Sequence, residues 1–280
     1  MKLVKRLFDF YLYSSIHVAL AAASLVAITY YYNTKPLDIE ILLFVFLATF
    51  ASYNLIKYSS YIARNRNFRS YKFSLKLIIV MTILALIYCL MLIFMFREET
   101  QLLIGLVGLL STLYMIPLRK GASNLRNISG VKIYIVSLCW AIVTLLVPLS
   151  EEQILWDSDV LVRFTQRFIL TLLLILIFEI SDLKYDDIRL KTMPQAIGIS
   201  NTKRLIYGLS ACFFILDLFK KASYATQDLV NLILIAIVIG FTYYASPKRS
   251  VYYTVFWVES IPIIWLVLVY LLGTDIYISS

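Results

Sequence analysis

Two stretches of the chain place ionisable and polar side chains at helical spacing inside otherwise apolar sequence. In Phe178-Glu179-Ile180-Ser181-Asp182-Leu183-Lys184-Tyr185-Asp186-Asp187, the carboxylates of Glu179, Asp182 and Asp186 fall at i, i+3 and i+7 and share one helix face. Three such carboxylates repel one another unless a positive charge is shared between them. A Mg2+ ion serving a phosphorylated substrate would supply it, since Mg2+ is held by one or two carboxylates together with phosphate oxygens and water. Arg189 and Lys191 follow closely and suit phosphate oxygens or, equally, lipid headgroups. A simpler arrangement is also open, with Asp186 and Asp187 facing water and Glu179 and Asp182 paired to Lys57 or to loop arginines. In the second stretch, residues 53–61, Asn54, Lys57 and Tyr61 repeat the i, i+3, i+7 spacing. A charge at mid-bilayer costs roughly 2.5–3.5 kcal/mol on insertion scales, so such residues are functional candidates by default.

The elements that must position these residues are membrane helices. Of the 280 residues, 61% are hydrophobic and 15% charged, too apolar for a water-soluble domain of this length. Nine apolar stretches are long enough to span: 11–33, 38–62, 74–96, 101–118, 132–150, 162–182, 203–220, 228–246 and 251–272. The expectation is an all-α polytopic integral membrane protein, with residues 1–280 forming a single transmembrane domain. The basic start followed by Ala21-Ala22-Ala23 has a signal-peptide layout, but its apolar run continues through Tyr32 and reads as a retained first span. With the N-terminus inside, nineteen Lys and Arg residues fall on the inner side and six on the outer. The expected topology is therefore a cytoplasmic N-terminus and an outer C-terminus. The net charge of +9 resides in short loops between apolar runs, which suits anionic lipid rather than nucleic acid. Cys89, Cys139 and Cys212 all lie within apolar runs, without C-x-x-C spacing, and read as buried thiols.

The segment Asp182-Leu183-Lys184-Tyr185-Asp186, followed by Lys191-Thr192-Met193-Pro194 and Gly198, resembles the second aspartate-rich motif of the UbiA prenyltransferase superfamily. Leu113-Tyr114-Met115-Ile116-Pro117-Leu118-Arg119-Lys120 resembles that family's tyrosine–proline–basic segment. The resemblance implies a helical bundle around a central cavity, binding a polyprenyl diphosphate through Mg2+ and passing its allylic cation to an acceptor. It implies Asp182 and Asp186 as metal ligands with Glu179 close by, Lys191 on the diphosphate, and Arg119 and Lys120 near the cavity mouth; Tyr114 and Arg189 join them as substrate-binding candidates. The family's first acidic motif is replaced: Asn54, Lys57 and Tyr61 stand at its positions, as substrate-facing residues without a carboxylate. Fewer metal sites are then expected, with Lys57 either replacing one cation in the chemistry or neutralising Asp182.

The resulting expectation is a divergent membrane prenyltransferase. It would move an isoprenoid group from a polyprenyl diphosphate to a lipid-soluble aromatic or lipid acceptor, in a membrane such as the bacterial inner membrane. A catalytically inactive bundle that binds lipid or a partner protein is the alternative, and a transporter is a more distant one. His17 is expected to pack rather than to bind metal. Glu259 is expected either to line the cavity or to hydrogen-bond another helix, and Asp217 to pair locally with Lys220 and Lys221.

Overall fold

A computed structural model describes residues 2–64, 71–115, 130–155, 158–185, 192–221 and 225–273. The described residues form helices and no strand. In chain order they are α1 (Lys2–Tyr13), α2 (Ile16–Tyr32), α3 (Ile39–Arg64), α4 (Phe73–Ile93), α5 (Glu98–Met115), α6 (Val131–Glu151), α7 (Ser158–Asp182), the short α8 (Met193–Ile197), α9 (Ile199–Ile215), α10 (Ala225–Tyr244) and α11 (Tyr253–Leu272). Each of the nine apolar stretches overlaps a helix. Six helices are long and apolar enough to cross a membrane by themselves, and seven if α1 and α2, bent by 57° at their junction, count as one span. The expected count of nine also included α5 and α9. Of their 18 and 17 residues, α5 opens with Glu98-Glu99 and α9 carries Ser200-Asn201-Thr202-Lys203-Arg204 near its start, which shortens the apolar part of each.

α7 is the central helix. Leu170, Leu173, Leu176, Ile177 and Ile180 have no exposed surface and pack with residues of α2, α9, α10 and α11, including Ile28, Phe213, Leu234 and Trp265. α4 is peripheral. Its buried residues Ile78, Thr82, Ala85, Cys89 and Leu92 form a single stripe, while Leu84, Leu90 and Met91 are exposed, as on a lipid-facing helix. Cys212 also departs from expectation, its thiol being exposed rather than buried.

Three helices break within the bundle, and a neighbouring side chain answers each break. At Ser14–Ser15 the chain turns between α1 and α2, with Ser15 at a left-handed φ of 63°. Asn54 of α3 accepts from the Ser15 hydroxyl at 3.0 Å and donates to the Ser14 carbonyl at 3.0 Å. In α6, residues Ile142–Leu146 form a π-turn. Pro148 has no N–H to give the Thr144 carbonyl, which instead accepts from the Thr29 hydroxyl at 2.8 Å. Arg167 of α7, one of the six cations that the sequence places on the outer side, is buried here. It donates to Leu25 O at 2.9 Å and to the Thr144 and Thr29 hydroxyls at 3.3 Å, beneath the Trp265 ring. The third break is the π-turn Tyr253–Val258, which opens α11.

Asp217 does more than pair locally. Besides Lys220, its carboxylate accepts from Gln166 of α7 at 2.8 Å and from Asn231 of α10 at 3.0 and 3.1 Å, all buried. Asp217→Ala should strip the buried Lys220 ammonium of its partner and cost about 3–5 kcal/mol. Thermal unfolding of the detergent-solubilised protein should show a lowered midpoint, and an unchanged midpoint would contradict this lock.

Candidate functional site

The carboxylate stripe of α7 ends beside the start of α8. Glu179 is 5% exposed. One of its oxygens lies 2.8 Å from the Lys132 ammonium of α6, and the other accepts from the Met193 backbone N–H at 3.0 Å. The second bond fixes the first turn of α8, where the Thr192 N–H donates to Gln195 at 3.0 Å. Glu179 therefore anchors the segment following the acidic motif, and its charge is met by Lys132. Asp182, the last residue of α7, is half-buried. Asp186, Arg189, Lys191, Arg119 and Lys120 lie outside the described residues.

The polar stripe of α3 turns elsewhere. Asn54 is 2% exposed and is occupied by the two serines of the α1–α2 break. Lys57 donates to the Tyr13 carbonyl at 3.0 Å, an oxygen that also accepts from Tyr58 at 2.8 Å. Its ammonium lies 5.2 Å from the Tyr13 ring and 5.6 Å from that of Tyr58, distances suited to cation–π attraction. Among the described residues, no ion pair joins Lys57 to Asp182. Tyr61 is 49% exposed and lies beside Tyr71, with ring centroids 5.8 Å apart. Tyr114 is half-buried, and on α3 the Tyr53 hydroxyl accepts from the Trp140 indole N–H at 3.2 Å. The two stripes expected to face each other thus have separate neighbours: α1 and α2 for one, α6 and α8 for the other.

Among the described residues, no three His, Cys, Asp or Glu side chains converge as a metal site. On α3 the donor set does not fit Mg2+, because an ammonium and an already engaged amide stand where oxygen ligands are needed. On α7 the carboxylates at the motif positions are Asp182 and, four residues further along the sequence, Asp186. Sequence reasoning missed the role of Lys132, one of the nineteen inner-side cations, because it carries no local motif.

No family model and no curated protein sequence matches the chain. Among solved structures it is similar to that of a UbiA homolog from Archaeoglobus fulgidus bound to GPP and Mg2+. The TM-score is 0.64 at 14% identity, over 94% of this chain and 99% of the other. The fold is thus that of a UbiA-like integral membrane bundle.

The Lys132–Glu179 contact is testable apart from any activity. Lys132→Met should destabilise the protein, and Glu179→Gln in the same chain should restore part of the loss. The double-mutant cycle in thermal unfolding should give a coupling of about 0.5–3 kcal/mol, whereas purely additive effects would show that the two groups do not interact.

Proposed function

We propose that this chain is a divergent UbiA-like membrane prenyltransferase that binds a polyprenyl diphosphate and transfers its isoprenoid group to a lipid-soluble aromatic or lipid acceptor. The observation that carries this reading is the fold match, which runs over nearly the full length of both chains with a protein whose structure holds GPP and Mg2+. The diphosphate would sit at the end of α7, on the face where Lys and Arg are concentrated, which the charge bias assigns to the cytoplasm of a membrane such as the bacterial inner membrane. Asp182 and Asp186 would hold Mg2+ there, in fewer sites than two acidic motifs provide. When bound, the ion supplies positive charge to the leaving diphosphate. Arg189, Lys191, Arg119 and Lys120 would neutralise phosphate oxygens. Glu179 would keep α8 and the segment before it in place. The apolar bundle excludes water from the allylic cation, and an acceptor already dissolved in the membrane would reach it laterally.

Lys57, which takes the place of an acidic ligand, favours a second reading. In that reading the bundle binds lipid or a partner and catalyses nothing. Protein in lipid nanodiscs distinguishes the two. The transferase reading expects Mg2+-dependent binding and turnover of labelled GPP, with Asp182→Asn weakening binding by tenfold or more. Absence of both binding and turnover, with an Asp182→Asn protein indistinguishable from wild type, would support the non-catalytic bundle.

A further inference from the structure

Two of the three helix breaks are closed by neutral groups. Asn54 serves the serine turn, and the His17 Nε2–H donates to the Phe256 carbonyl in the π-turn of α11 at 2.9 Å. The break in α6 is different. The Thr29 hydroxyl that closes it also accepts from the guanidinium of Arg167, a residue 3% exposed. The Leu25 carbonyl, the Thr144 hydroxyl and the face of the Trp265 ring complete the surroundings of that guanidinium, and all are neutral. Among the described residues no ion pair engages Arg167. A charge buried in a membrane bundle is strongly destabilising unless an opposite charge reaches it.

Arg167 lines a cavity where α2, α7, α10 and α11 meet, together with Tyr32, Arg163, Lys220, Asn231 and Trp265. The wall holds three cations, Arg163, Arg167 and Lys220, and no carboxylate. Lys220 is matched by Asp217, and Arg163 donates to the Asn33 side-chain oxygen at 2.7 Å. Two buried donors of the same wall close no hydrogen bond among the described residues. They are the Tyr32 hydroxyl and the Trp265 indole N–H, whose rings are 6.4 Å apart. Against them stands one buried acceptor in the same condition, the Asn231 side-chain oxygen. Donors beside an unmatched positive charge suit an anion. Water would satisfy the donors but leave the charge. The cavity volume of about 20 Å³ admits one particle near the size of water, for which about 10–15 Å³ is enough, and does not admit a phosphate group.

We propose that this cavity is a halide site, in which one chloride ion is held by Arg167, the Tyr32 hydroxyl and the Trp265 indole N–H. The ion neutralises Arg167 and ties α2, α7 and α11 together. Arg167 and Asp182 are about 22 Å apart along α7 at 1.5 Å per residue, so the halide site is separate from the proposed diphosphate site. It is independent of the transferase reading.

The full chain in detergent, with chloride exchanged for gluconate at constant ionic strength, tests this by chloride NMR line width and by thermal unfolding. The protein should broaden the chloride line saturably, and bromide should displace the bound ion where bulky gluconate does not. The unfolding midpoint should rise with chloride, as for any ligand of the folded state. Arg167→Gln should lose both responses. Arg167 also braces Thr29, so a second variant guards against failure to fold. Tyr32→Phe keeps the ring and the charge, removes one donor, and should weaken chloride affinity by about tenfold, the scale of a hydrogen bond to a charged group. Lys248→Gln, at an exposed cation outside the cavity lining, should leave the affinity unchanged. Equal midpoints in chloride and gluconate with no saturable broadening would overturn the inference and leave water as the occupant. Wild-type affinity in Tyr32→Phe, or a loss in Lys248→Gln as large as that in Tyr32→Phe, would move the bound chloride to the surface and overturn it too. Neither result bears on GPP binding or turnover.

Discussion

A backbone group inside a bilayer has no water to turn to, so a helix that breaks there must borrow a partner from its neighbour. That constraint organises this bundle. Asn54 answers the serine turn between α1 and α2, Thr29 answers the π-turn above Pro148, with Arg167 bonded to the Thr29 hydroxyl, and His17 holds the π-turn of α11. Each answer crosses between helices and fixes their relative rotation as well as the broken strand of hydrogen bonds. α2 takes part in all three, which makes it the hub against which α3, α6, α7 and α11 are set.

The same constraint explains how the candidate site departs from the two-sided acidic arrangement that the family resemblance implies. Asn54 is tied to a structural turn, and Lys57, one turn further along α3, is drawn to the Tyr13 carbonyl at the end of α1. On α7 the carboxylate nearest the core, Glu179, is matched by Lys132 and given to α8. In the proposed transferase, metal and diphosphate would fall to the Asp182 end of the α7 stripe.

The membrane class and the helix positions were legible in the sequence because they depend on composition over about twenty residues, which averages out local detail. The UbiA-like fold was legible from the 179–198 segment. Side-chain partners were not, because periodicity gives the face of a helix but not the helix it meets. Asn54 and Arg167 show the difference: one was read as substrate-facing and the other was counted among the outer charges, yet both are buried and donate to backbone carbonyls of other helices or turns, Ser14 O and Leu25 O. The break at Ser14–Ser15 was hidden for a related reason, since the apolar run into α2 continues without a glycine or proline to mark it. Glu259 was noticed because a lone acid in an apolar span is conspicuous, but the π-turn that precedes it has no sequence signature.

The claim that breaks in one helix are held by side chains of another is tested most directly at Asn54. Hydrogen–deuterium exchange of the protein in nanodiscs, comparing wild type with Asn54→Leu, reads the backbone at the serine turn itself. The account predicts faster exchange confined to residues 10–20 and to the α11 π-turn that His17 holds, with α9 and α10 unchanged. Unchanged exchange across residues 10–20 would contradict it.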